Sequence, residues 1–248
     1  MVVELITFCW NERILLPFAL DYWRKFADKV TVVDNMSDDG SLDILNKYPE
    51  YIRILPNDTG GKINNDILRN IKNNIWKTSS ADFCVVCDLD EFLVAKDIKS
   101  EFEKMAEQNC TVCIPRCFTL MSEETPQYDG RPLHEIRPMA YESASKTIIL
   151  RPKYIKEMNY TVGSHDAHPE GYVKYYHGNM FMLHCANNLS LEYKINRYKT
   201  LNERRRDEER KRFLSMNYGM GEKEIKRNWE NNLKRTINFK KNILDHKE

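Results

Sequence analysis

Residues 83–93 read FCVVCDLDEFL. The apolar run from Phe83 to Cys87 ends abruptly in three acids within four residues, Asp88, Asp90 and Glu91. Apolar residues resume at once with Phe92, Leu93 and Val94. Carboxylates beside a core are costly unless something neutralises them. The stretch therefore poses a question of charge as well as of fold. As an element it reads as a buried strand ending in an acidic edge, and the chain before it repeats that pattern.

VVELITFC (2–9) is a strand candidate, followed by an Asn11-Glu12 turn and a helix over 15–26 with apolar residues at helical spacing. KVTVVDN (29–35) is a second strand, and SDDGS (37–41) is a turn whose last Ser precedes a short helix over 42–48. YIRILPN (51–57) is a third strand, DTGGK (58–62) a glycine-containing loop, and 63–76 a helix with apolar positions at 63, 67, 68, 71 and 75. DFCVVCD (82–88) is the fourth strand. Strands alternating with helices predict βαβ units, an α/β fold and a mostly parallel sheet. Ligands of such sheets bind outside the carboxyl ends of the strands. Polar residues cluster at those ends: Asn11 and Glu12, Asp34 and Asn35, Asp88 and Asp90. Unrelated surface polarity would not choose one edge three times, so the pattern points to a nucleotide-type site.

After Leu93 the organisation changes. A helix is expected over 99–108 and a strand over CTVCIPRCFTLM (110–121). A polar stretch (122–144) follows, then a strand at KTIILRP (146–152) and loops with short strands over 160–180. Helical signals dominate from Leu189, and Ile225, Trp229, Leu233, Ile237 and Leu244 read as one apolar stripe, a core or dimer contact. The expected division is a catalytic body, 1–190, and a helical basic extension, 191–248, packing on or closing over the site.

The chain has 248 residues, 42% hydrophobic and 11% aromatic, which excludes a disordered class. No apolar stretch approaches the roughly 20 residues of a membrane span. MVVELITFCWNE carries an acid and no basic region, so it reads as a core strand and not a signal peptide, and a cytoplasmic protein is expected. Net charge is +1, but residues 194–248 hold 17 Lys/Arg against 9 Asp/Glu, while 1–193 hold 21 against 28. That asymmetry suits a basic tail facing an anionic partner, or a solvated helical surface. Two of the seven-cysteine set's spacings, Cys84-x2-Cys87 and Cys110-x2-Cys113, resemble a zinc ribbon. Both lie in β-rich runs, where residues three apart point to opposite faces, so buried free thiols are the expectation.

Two aspartates one residue apart at a strand end can share a divalent cation, with substrate phosphates completing its shell. Such a cation stabilises charge developing on a phosphate leaving group. VVDNMSDDGS (32–41), FCVVCDLDEFL, SKTIILRP (145–152) and LHCANNLSLEYKINRYK (183–199) together resemble the GT-A glycosyltransferases related to family 2, in particular the branch whose metal motif reads D-x-D-E-F. The resemblance covers roughly residues 2–200. It implies a GT-A fold with a Rossmann-like nucleotide-binding sheet. It also implies transfer of a sugar, with inversion, from a nucleotide-diphosphate donor (a UDP-sugar favoured) using Mn²⁺ or Mg²⁺. The implied acceptor is a glycan or lipid-linked glycan of bacterial surface polysaccharide or lipo-oligosaccharide.

By the same resemblance Asn11, Glu12 and Asp34 surround base and ribose, Asp88 reaches ribose or metal, and Asp90 the metal. Arg69, of the Arg69-Asn70 pair, and Lys62 face the donor, and Glu91 joins the catalytic groups. Two features depart from the family. The usual Glu-Asp pair on the acceptor side is absent after residue 95, leaving Asp166, Glu170 and Glu142 as general-base candidates, with Asp166 favoured. The histidine that supplies a further metal ligand is His165 or His184, with His177 a third choice. Lys146, Lys194 and Arg197 are candidates for phosphate or anionic-acceptor contact. Bland roles stand beside these: His184 as a core histidine, His165 and His168 as loop hydrogen-bonders, Asp34 as a turn cap.

Other classes fit less well. A sugar nucleotidyltransferase wants a glycine-rich phosphate loop after the first strand, and TFCWNERILL has no Gly. RRRDEERKR (204–212) alternates charge without interleaved aromatics, which argues against nucleic acid. TGGKI (59–63) lacks the spacing of a phosphate-binding loop. A catalytically degenerate binding protein on the same fold is the remaining alternative, and peripheral contact of the basic helices with a membrane stays open.

Overall fold

The apolar run 3–9 forms β1 (Val3–Cys9), buried along almost its whole length as a parallel strand covered on both faces must be. In a computed structural model, which describes residues 1–245, the chain continues through α1 (Leu16–Trp23), β2 (Lys29–Asp34), α2 (Ser41–Leu45), β3 (Ile52–Pro56) and α3 (Asn65–Asn74). It then forms β4 (Phe83–Asp88), β5 (Glu91–Val94), α4 (Ile98–Glu107), β6 (Val112–Cys113), β7 (Arg116–Leu120) and α5 (Leu133–Ile136). β8 (Met139–Ser143), β9 (Ile149–Leu150), β10 (Ile155–Glu157), β11 (Glu170–Gly171), β12 (Tyr175–Tyr176) and β13 (Phe181–His184) follow. The last elements are α6 (Leu191–Arg204), α7 (Asp207–Lys211), α8 (Glu222–Leu233) and β14 (Ile237–Asn238). Residues 246–248, the end of the expected extension, lie outside the described residues. Helix starts follow local chemistry: Asn64, Asp97 and Ser190 each accept a backbone N–H three residues on.

The expected α/β architecture is present. The central sheet has seven strands in the order β12-β6-β9-β4-β1-β2-β3. Its core, β4-β1-β2-β3, is parallel throughout, β12 and β6 are parallel, and β9 runs antiparallel to both neighbours. The chain steps from β1 out to β3, then returns to β4 on the other side of β1. That reversal opens a crevice at the carboxyl ends of β1 and β4, where open α/β sheets bind ligands. One face of the sheet carries Leu5, Phe83, Val85 and Cys87 against Leu16, Trp23 and Phe102. The other carries Ile6, Cys84 and Val86 against Trp76, Met158 and Tyr160. Cys84 and Cys87 thus point to opposite faces, and all seven cysteines are buried free thiols.

A second sheet, β14-β8-β7-β13-β5, lies beside the first. The expected strand over 110–121 is two strands, β6 and β7, in different sheets. Pro115 separates them, lacking the N–H a continuous ladder needs. The polar stretch 122–144 supplies α5 and β8. The apolar stripe does not run on one helix. α8 ends at Leu233 with Ile225 and Trp229 buried, while Ile237 belongs to β14, paired antiparallel with β8. The C-terminal segment therefore completes a sheet of the body as well as adding helices to it.

A thiol reagent added to the native protein should label no cysteine rapidly, and seven should react in denaturant. Fast native labelling at Cys84 or Cys87 would contradict this packing.

Candidate active site

Asp88 closes β4 and Glu91 opens β5, so the Leu89-Asp90 step carries the chain from the first sheet into the second. β5 pairs with β13 in a register that sets Glu91 opposite His184, and the Cys185 N–H donates to the Asp90 carbonyl (2.9 Å). The acidic turn is thereby fixed between two sheets. It forms part of the wall of a cleft of about 540 Å³ at the carboxyl ends of β1, β2 and β4. That volume suits a small-molecule site.

Two lysines neutralise the acids. Lys72, from α3, lies 2.7 Å from Asp88 Oδ1. Lys146, just before β9, lies 2.5 Å from Glu91 Oε1 and 3.5 Å from Asp88 Oδ2. Glu91 also accepts the Asp88 N–H (2.9 Å). Burial pushes the Asp88 carboxyl up, but Lys72 and Lys146 outweigh it and hold the group well below the carboxylate range. Burial likewise pushes Lys146 down, and Glu91 and Asp88 more than reverse that. Glu91, expected among the catalytic groups, is 1% exposed and lies outside the cleft lining. Its contacts make it a group that positions Asp88 and Lys146.

Asp90 Oδ2 is 3.5 Å from His184 Nε2, and both side chains line the cleft. Against the upward push of burial, His184 holds Asp90 low. Against the downward push of burial, Asp90 holds His184 high. A divalent cation is implied here by the family resemblance. Among the described residues no three His, Cys, Asp or Glu side chains converge as a complete metal cage. Asp90 and His184 lie together on the cleft and could hold such a cation, with Asp88, also expected to reach it, beside them and paired to Lys72. One carboxylate and one imidazole fit a cation that draws the rest of its shell from substrate phosphates.

The other expected residues divide. Glu12 lines the cleft and is tied to Arg197 at 2.5 Å. Burial lifts its carboxyl to about 8, against the pull of Arg197. Arg69 lines the cleft and pairs with Asp66 (3.3 Å). His165 also lines it, its ring pushed low by burial and by Lys146. Three others, Asp34, Asn11 and Lys62, point their bonding elsewhere, and a fourth, Asp166, lies outside the cleft lining. Both oxygens of Asp34, 3% exposed, accept from Ser37, so it caps the turn. The Asn11 amide pairs with Asp38, and Lys62 donates to the Glu203 carbonyl. Asp166 is exposed beside His165, outside the cleft lining. Of the remaining candidates, Glu142 pairs with Arg116 at the surface, Glu170 accepts from Asn159, and His177 is exposed.

Trp10, Lys72 and Arg204 were not among the expected residues. α6 lies across the end of β1: Arg197 donates to the Trp10 and Asn11 carbonyls (2.8 and 3.1 Å) and stacks 4.5 Å from the Trp10 ring centre. The Arg204 guanidinium lies 3.4 Å from the same centre and donates to the Gly61 carbonyl. Tyr198 and Tyr218, in edge contact at 5.3 Å, line the cleft as well. Lys194 donates instead to Asn188 (2.6 Å), and burial lowers it to about 8. A sequence signal for Lys72 existed, since it follows Arg69 by one helical turn. None existed for the Trp10–Arg204 contact between distant segments.

Compared by sequence, the chain matches no family model and no curated protein. By structure it is similar to TarS of S. aureus, residues 1–349, at 16% identity and TM-score 0.44, over 82% of this chain and 70% of that one. For TarS 1–349 in complex with UDP the values are 15% and 0.48, over the same shares. For the structure described as TarS they are 15% and 0.47, with 82% of this chain against 42% of that one. The mixed α/β fold with its mostly parallel central sheet rests on the strand order itself.

Lys146→Ala should leave Glu91 buried without its charge partner and cost about 3–5 kcal/mol in urea unfolding. The paired change Lys146→Met with Glu91→Gln should recover most of that loss. Glu12 predicts a pH dependence. With its folded value raised from 4.5 to about 8, the native state holds a proton there that the unfolded chain has released. Stability should therefore fall as pH rises across that window. Glu12→Gln should remove this component, seen as a flatter difference between unfolding at pH 5 and at pH 8.

Proposed function

We propose that the chain is a glycosyltransferase acting on a nucleotide-diphosphate sugar, with a UDP-sugar the favoured donor. The observation that carries this reading is the placement of Asp88 and Asp90 at the carboxyl end of β4, beside the reversal in strand order, on a cleft of about 540 Å³. Aromatic walls at Trp10, Tyr198 and Tyr218 offer flat faces for a base or a sugar ring. Asp90 and His184 would hold Mn²⁺ or Mg²⁺, which when bound supplies positive charge to the leaving diphosphate.

The chain's own residues do the rest. Asp88 and Glu91 hold Lys72 and Lys146 in fixed positions at the cleft. Arg197 and Arg204 hold the Trp10 ring from α6. In an inverting displacement a base must take the acceptor hydroxyl proton. Asp166 has that role in this reading, because its carboxylate makes no ion pair or side-chain hydrogen bond among the described residues and it adjoins His165 at the rim. The acceptor is a glycan or lipid-linked glycan of a bacterial surface polysaccharide or lipo-oligosaccharide, as the family resemblance implies. Among the described residues no helix is long and apolar enough to cross a membrane. A lipid-linked acceptor would then be met by peripheral contact of the basic helices.

Calorimetry with a panel of nucleotide sugars should find one that binds with Mn²⁺, binds more weakly in EDTA, and loses its metal-dependent part in Asp90→Ala. Asp166→Asn should bind that donor normally and turn over about 10²–10⁴-fold more slowly. No binding by any nucleotide sugar to folded protein would sink the proposal, and undiminished turnover in Asp166→Asn would remove that base.

A further inference from the structure

Lys72 is a charged group with unused bonding capacity. Its side chain is 8% exposed, its Nζ sits 2.7 Å from Asp88 Oδ1, and it lies 4.9 Å from the centre of the Phe8 ring. An ammonium has three donors. Asp88 takes one, and among the described residues Nζ makes no other hydrogen bond. A buried cation with unfilled donors is costly. This one belongs to the wall of the cleft, so an acceptor arriving there would meet it. Arg69 lines the same cleft one turn earlier on α3. It pairs with Asp66 (3.3 Å) and stands beside Lys72 as a second cation on the cleft. Lys146 differs, because two carboxylates already face its ammonium.

We infer that Lys72 binds the diphosphate of the donor directly, through the N–H groups that Asp88 leaves free. Diphosphate affinity then has a component that needs no metal. This rests on the nucleotide-donor reading above. Asp88 acts as the anchor that aims Lys72, and Arg69 is the second cation on the same helix face. The bland alternative is a lysine that only neutralises Asp88. It predicts a change in stability and none in metal-free binding. Asp88 keeps Lys146 at 3.5 Å when Lys72 is replaced, so the variant is expected to fold.

The test is calorimetric titration of inorganic pyrophosphate, UDP, GDP and ADP, in EDTA and in Mn²⁺, on wild type, Lys72→Met and Lys72→Arg, with melting curves as the fold control. Wild type should bind pyrophosphate and at least one nucleotide in EDTA. Lys72→Met should weaken that binding roughly ten- to a hundredfold, the scale of one charge-assisted hydrogen bond. Lys72→Arg should restore part of it. Equal binding in EDTA by folded Lys72→Met overturns the inference, and so does wild-type binding that appears only with Mn²⁺. In both cases the glycosyltransferase reading stands. Absence of binding with and without metal overturns both.

Discussion

Three carboxylates crowd the turn between β4 and β5; His184 meets Asp90, and two ammonium groups reach Asp88 and Glu91 from elsewhere in the chain. Lys72 arrives on a helix that precedes β4, and Lys146 from a loop more than fifty residues beyond it. Burial pushes the Asp88 carboxyl up and the two lysines hold it down, beside Phe92 and Leu93, which are almost fully buried. Because the turn also joins the two sheets, the same ion pairs that settle its charge hold the sheets' junction in place. The crevice beside it inherits its shape from that junction.

A consequence is a division of labour within Asp88-Leu89-Asp90. Asp88 faces lysines and serves as an anchor. Asp90 faces His184 and keeps its carboxylate for the cleft. Leu89 between them is buried in the core, so the two aspartates are displayed from a rigid step. The α6 helix works on the opposite wall. Two arginines stack on Trp10, and one of them also binds Glu12, tying the helical segment to the end of β1. Since β14 adds a strand to the second sheet, that segment is held at both ends of its course.

Much of this was readable in the chain. Apolar runs alternating with helical spacing mark the first four strands nearly to the residue, because β1, β2 and β4 are buried along most of their length and β3, at the sheet edge, still keeps Ile52 in the core. Of the polar residues at the strand ends, Asp88 and Asp90 line the cleft at the carboxyl edge of the sheet. Less legible in the sequence is the local partner that a polar side chain finds. Asp34, at the carboxyl end of β2, caps its own turn through Ser37, and Asn11 pairs with Asp38 across a loop. Apolar spacing on α3 counts Lys72 as solvent-facing, whereas the fold buries it against Asp88. Pro115 is the cue in the sequence that residues 110–121 divide between two sheets.

By itself the sequence determined the alternation of strand and helix, the parallel core of the sheet, and the acidic edge on which a site would lie. These follow from patterns within a few residues of one another: burial, turn chemistry, capping. Only the tertiary structure decided which acids pair with lysines and which with His184. It also decided that Glu91 lies sealed below, that Trp10 lies under two arginines, and that the last strand completes a sheet of the body. Those outcomes depend on contacts between residues far apart in the chain, where the energy of a charge is set by whichever partner the fold brings within hydrogen-bonding reach.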